Sequence, residues 1–141
     1  TLGYGGDSGY VGWFMNDPTI SFDFGGVIKL TSVTIHYDKL AASAVYAPDA
    51  FAVSLVGGAT FTEVVIDALP DGTASATLTL ATELVGQYFD LTIAQGQTGS
   101  SWIMLSEVSF VGVDVPLPAG LPMLVMGLGA LGLMTRRRKT A

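Results

Sequence analysis

A chain of 141 residues without a single cysteine has no disulfide framework, and with His36 as its one histidine it lacks the nitrogen and sulfur ligands of a zinc site. Its net charge of −6 is unevenly spread: residues 1–114 hold all 12 acidic residues against Lys29 and Lys39, a balance of −10, while the rest holds four cations and no acid. So acidic a body repels nucleic acid and anionic lipid, which removes both from its expected partners.

No targeting segment opens the chain. Thr1 is not an initiator, and residues 1–19 carry neither a basic stretch nor an apolar core. Upstream residues, a signal peptide among them, are therefore expected to be missing from an N-terminally truncated body. Gly and Ser cluster in residues 3–12, which reads as a loop. Within it Gly6-Asp7-Ser8-Gly9 resembles the tetrapeptide around the nucleophile of chymotrypsin-like proteases. A nucleophilic serine needs an imidazole to take its proton and a carboxylate to orient that imidazole. The single histidine lies after the serine, on the polar side of an alternating segment, so a surface loop and a non-enzyme are expected. Tyr4, Tyr10, Trp13 and Phe14 accompany Asp7, Asn16 and Asp17 here, an arrangement in which ring faces stack on a sugar while carboxylates accept hydrogen bonds. Tyr10 and Trp13 are the carbohydrate candidates. The competing reading buries the rings, Trp13 and Trp102 above all, as core.

Strand signals then follow one another. Ile20, Phe22 and Phe24 alternate with Ser21 and Asp23 up to Gly25-Gly26, and Val33, Ile35 and Tyr37 alternate with Thr34 and His36. Phe51, Val53 and Leu55 share a side before the Gly57-Gly58 break, residues 61–66 follow, and Pro70-Asp71-Gly72 is a turn sequence. Ala76, Leu78 and Leu80 form the next alternating set, then Phe89, Leu91 and Ile93, then a strand over 102–111, with a loop at 96–101. Some seven short strands without helical periodicity predict an all-β fold, an antiparallel β-sandwich over residues 1–112, long enough for one core.

Residues 113–141 are different in kind. Val115-Pro116-Leu117-Pro118-Ala119 precedes an uncharged stretch, and Arg136, Arg137, Arg138 and Lys139 close the sequence. The sixteen residues 119–134 reach only about 24 Å as a helix against a hydrocarbon core of roughly 30 Å; with 115–118 added, a single transmembrane helix just spans. Pro122 stands near its start, where a missing amide donor costs least, and the four cations hold the end of the chain in the cytoplasm. The body is thereby placed across the membrane: the protein is exported, with residues 115–135 in contact with the bilayer.

Motif, apolar stretch and basic cluster together resemble the PEP-CTERM class of bacterial sorting signals, in the variant named for its VPLPA motif. That resemblance implies recognition by an exosortase, a membrane-embedded cysteine transpeptidase, in Gram-negative bacteria that make exopolysaccharide. A plain C-terminal anchor is the alternative. A sortase signal is disfavoured because residues 117–121 lack the threonine and glycine of LPxTG.

Two stretches of the body resemble the discoidin-like, galactose-binding jelly roll. They are Gly12-Trp13 with Pro18, Ile20, Phe22, Asp23 and Phe24, continuing to Val33 and Ile35, and the run from Trp102 through Leu105, Glu107 and Val108 to Phe110. The resemblance implies a jelly-roll topology and a calcium ion tying the N-terminal loop to a late carboxylate, here Glu107. Against it stands Glu107 as a solvent-facing strand residue. Together the two resemblances imply a cell-surface or biofilm-matrix component with weak affinity for carbohydrate such as exopolysaccharide. A purely structural or adhesive surface protein is the alternative, and a polysaccharide hydrolase the third reading.

Overall fold

β-Branched and aromatic residues at every second position pair into six strands in the computed structural model, which describes residues 9–56, 58, 60–65, 70–96 and 100–115. These are β1 (Val11–Phe14), β2 (Thr19–Lys39), β3 (Ala50–Leu55), β4 (Thr60–Val64), β5 (Gly72–Ala94) and β6 (Trp102–Asp114). All neighbours are antiparallel, in the order β1-β6-β2-β5-β3-β4. A single 3-10 turn, Ala41–Ser43, joins β2 to β3. No helix among the described residues is long and apolar enough to cross a membrane, and the span expected over 119–134 lies outside them.

The all-β antiparallel expectation holds, but the strand count does not. Two pairs of expected short strands are each one long strand: β2 runs for 21 residues and β5 for 23. Gly25-Gly26, read as a break, is a bulge. Between the pairs Asp23↔Tyr88 and Ile28↔Gly86, β2 contributes residues 24–27 and β5 only residue 87; between Leu30↔Leu84 and Ser32↔Thr79 the excess is on β5. Extra residues on alternate strands bend the ladder sharply without ending it. Gly25 makes the first bend with φ of +71°, and Asp23 accepts its N–H at 2.8 Å.

The bends fold the sheet over itself. Phe110 pairs with Val33, eleven residues along β2 from Phe22, a distance of about 36 Å on a straight strand. Yet the Phe22 and Phe110 ring centroids lie 4.7 Å apart, edge to face, and Phe24 packs on Phe110 at 5.1 Å and on Phe89 at 5.6 Å. One half of the curled sheet therefore faces the other across a single core. Leu30, Val33, Ile35, Phe51, Val53, Phe89, Leu91, Ile93 and Ile103 are fully buried there. The two layers expected of a sandwich are two halves of one continuous sheet, shared through β2 and β5.

Candidate functional site

Three places in the fold hold the residues that sequence singled out. The first is the end of β6. Pairing with β2 continues through Ile28↔Asp114, and the Val115 N–H donates to Val27 O at 2.9 Å. The folded body thus runs without a linker into the first residue of the proline motif. Gly112 is part of the reason for the close fit, since a Cβ there would meet the Lys29 carbonyl oxygen at 2.7 Å. Pro116, Leu117, Pro118, Ala119 and the cations at 136–139 lie outside the described residues.

The second place is a shallow groove of about 300 Å³ on the outer face, lined by His36, Thr73, Ser75, Ser106 and Glu107. His36 is the cross-strand partner of both Ser75 and Glu107, so the three share a face. Ser106 is the extra residue of a bulge between the pairs His36↔Glu107 and Tyr37↔Leu105. Glu107 is exposed and its Oε1 accepts from Ser109 Oγ at 3.0 Å. No group of three or more His, Asp or Glu side chains among the described residues converges to hold a metal. β1 enters opposite Leu105, two residues from Glu107, while residues 1–8, from which further calcium ligands are expected, lie outside the described residues.

The third place is the opening. The stretch 3–12, read as a loop, ends in strand β1, which Val11 begins opposite Leu105. Trp13 is half-buried and packs against the core. Trp102 is also half-buried, with its ring 5.0 Å from Phe14, its cross-strand partner. Tyr10 is half-buried, and Tyr4, Asp7 and Ser8 lie outside the described residues. Asp17 is committed locally, its Oδ1 accepting the Gln95 N–H at 2.8 Å.

Sequence reasoning missed two features. Gln95 is buried and donates to both Ser101 O at 2.7 Å and Ser101 Oγ at 2.6 Å, tying the ends of the 96–101 loop together. A buried amide of this kind specifies geometry because its partners have no access to water. The other is electrostatic. Asp23 Oδ1 accepts from Gln87 Nε2 at 2.8 Å as well as from the Gly25 N–H, and these bonds, Gln87 first, hold its carboxyl below the usual value. The Asp23–Gln87 bond has no local sequence signal because its partners are 64 residues apart, whereas Gln95 and Ser101 lie only six residues apart and it is the burial of the amide that sequence does not show.

Comparison with known families finds a PEP-CTERM protein-sorting motif at residues 114–139. No curated protein matches the chain. The match begins at Asp114, the last residue of β6. It implies an exported protein that is anchored in the membrane before processing by an exosortase.

Proposed function

We propose that the chain is a non-enzymatic surface protein of a Gram-negative bacterium, cut from its membrane anchor within residues 115–119 and delivered to the cell surface or extracellular matrix. The observation that carries this reading is the continuity of β6 with the sorting motif, from Asp114 through the Val115 hydrogen bond. A transpeptidase acting there releases an intact folded body. Prolines at 116, 118 and 122 disfavour regular helix through the motif, so an extended backbone accessible to the enzyme is expected there.

The ligand in this reading is carbohydrate, held weakly. Its support is the polar character of the outer face, where Thr34 Oγ1 and Thr77 Oγ1 lie 2.8 Å apart beside the His36 and Glu107 groove. Hydroxyl, carboxylate and imidazole groups at a shallow surface suit the hydroxyls of an exopolysaccharide. Packing of Trp13 on the core favours the groove over the opening as the contact, and it also favours the second reading, a structural or adhesive protein with no small ligand.

Processing is tested by co-expression with a matching exosortase. The chain should lose a C-terminal epitope tag and about 2–3 kDa, the mass of some twenty to twenty-five residues carrying the span, and Pro116→Ala with Pro118→Ala should block the loss. A stable full-length inner-membrane species in the presence of active exosortase refutes the sorting function. A glycan array probed with the released body then separates the carbohydrate reading from the structural one.

A further inference from the structure

The outer face of the sheet is mostly Thr, Ser, Asp and Glu, but one corner departs from that pattern. Val85, Lys29 and Val113 are direct cross-strand neighbours on β5, β2 and β6, so their side chains share one face. The two-residue alternation adds Val111 on β6 and Val27 on β2 to the same face. These four valines are between 42% and 61% exposed. Lys29 stands among them and is paired with Glu83 at 3.7 Å, so the corner presents methyl groups around a compensated charge.

This corner is where the chain leaves the body. Val27 accepts the Val115 N–H, and the apolar stretch that follows the proline motif begins at Ala119. Four residues reach at most roughly 14 Å even when fully extended. While the tail is in the membrane, the Val27 and Val113 end of the valine face, beside the Val115 hydrogen bond, is therefore held close to the lipid headgroups.

We propose that this face docks on the zwitterionic lipid surface of the membrane before processing, and so sets the orientation in which the motif meets its transpeptidase. The proposal rests on membrane anchoring of the unprocessed chain. Zwitterionic lipid is the fitting occupant because the body, at −10, is repelled by anionic headgroups, whereas valine side chains and the aliphatic stem of Lys29 gain from partial burial at the interface. Four valines make a weak contact by themselves. A short tether raises their effective concentration at the surface to the millimolar range, enough to hold the face down only as long as the tail is attached. Cleavage then removes the tether and releases the body.

The absence of native cysteine allows a direct test. Single substitutions Val85→Cys, Val111→Cys and, on the outer face away from the exit, Thr77→Cys are each labelled with an environment-sensitive fluorophore. The full chain is reconstituted into phosphatidylcholine vesicles containing a headgroup nitroxide lipid. Labels at 85 and 111 should be quenched several-fold more than the label at 77, and Val27→Asp with Val113→Asp should reduce quenching at 85 to the level at 77. A body freed by cleavage after the motif should not float with the vesicles. Equal quenching at all three positions overturns the docking while leaving the anchor intact. Shielding that grows with protein-to-lipid ratio assigns the face to a second copy and also overturns it. Failure of the full chain to float overturns the anchoring, and the docking with it.

Discussion

Removing the Phe110 ring tests whether the sheet really closes on itself. Phe110 meets Phe22 at 4.7 Å and 67° and Phe24 at 5.1 Å and 87°, two edge-to-face pairs formed only because β2 bends between them. Each such pair adds about 0.5–1.5 kcal/mol beyond the area it buries. Phe110→Ala loses both together with part of a half-buried side chain, a cost of about 3 kcal/mol at the low end of the range for phenylalanine truncation. For a domain near 100 residues this lowers Tm by about 12–24 °C. The sharper measurement is a double-mutant cycle with Phe22→Leu and Phe110→Leu, followed by urea unfolding monitored by tryptophan fluorescence on a chain truncated after Pro118. The coupling should be about 1 kcal/mol. On a straight β2 the two rings stand about 36 Å apart and their effects simply add. Coupling within about 0.3 kcal/mol of zero would refute the folded-over sheet.

At the first bend, Gln87→Ala should bring the depressed Asp23 pKa back up toward 3.8, followed by carboxyl NMR titration. Because the folded value is the lower one, the stability this group contributes is complete above the unfolded-state value and disappears as pH falls through the folded one; an unchanged titration removes Gln87 as the cause. Calcium binding only the folded state with a Kd equal to its concentration adds about 0.4 kcal/mol, a rise of about 2–3 °C. Superimposable melting curves in calcium and EDTA, with Glu107→Gln silent, dispose of that site. Ser8→Ala should leave folding and glycan binding nearly unchanged, and His36→Ala should leave folding nearly unchanged while weakening glycan binding at the groove it lines; stoichiometric labelling of Ser8 by a fluorophosphonate, abolished by His36→Ala, would require the non-enzyme reading to be withdrawn.

Local alternation identified the core well. Val33, Ile35, Tyr37, Phe51, Val53, Leu78, Leu80, Phe89, Leu91 and Ile93 are all buried, because a period of two fixes one face wherever a strand is regular. It failed where the parity slips. Gly25-Gly26 looks like a terminator in sequence, but the cross-strand ladder resumes at Ile28, and nothing local distinguishes a bend from an end. The same slips hid the valine face, since Val27, Val85 and Val111 are core-type residues whose outward direction is set by bulges several positions away. Val45 and Pro48 are buried outside any extended strand, held by a parallel bridge from Val45 to Trp102. That contact depends on a partner more than fifty residues distant. The tail behaves in the opposite way: its motif, apolar run and charge cluster are read by other molecules in linear order, so the sequence carries the signal almost unaided.

How the fold and signal join has a mechanical consequence. Many exported domains reach their anchor through a flexible linker, in which body and membrane move independently. Here β6 ends at Asp114, the motif begins at Val115, and the first motif residue is still hydrogen-bonded to β2. The transpeptidase must therefore act within a few residues of a rigid edge, since the chain from Val115 to Ala119 reaches at most roughly 14 Å. Two things follow from that confinement. The body must be oriented so that its exit corner does not occlude the motif, which makes the surface around Val27 and Val113 part of the recognition problem. The terminal pairing of β6 must also tolerate the pull of an enzyme gripping the next few residues. A strand held on one side by β2 over residues 28–38 resists that pull by sharing it along a long ladder, so opening is confined to the last pairs and the core stays closed.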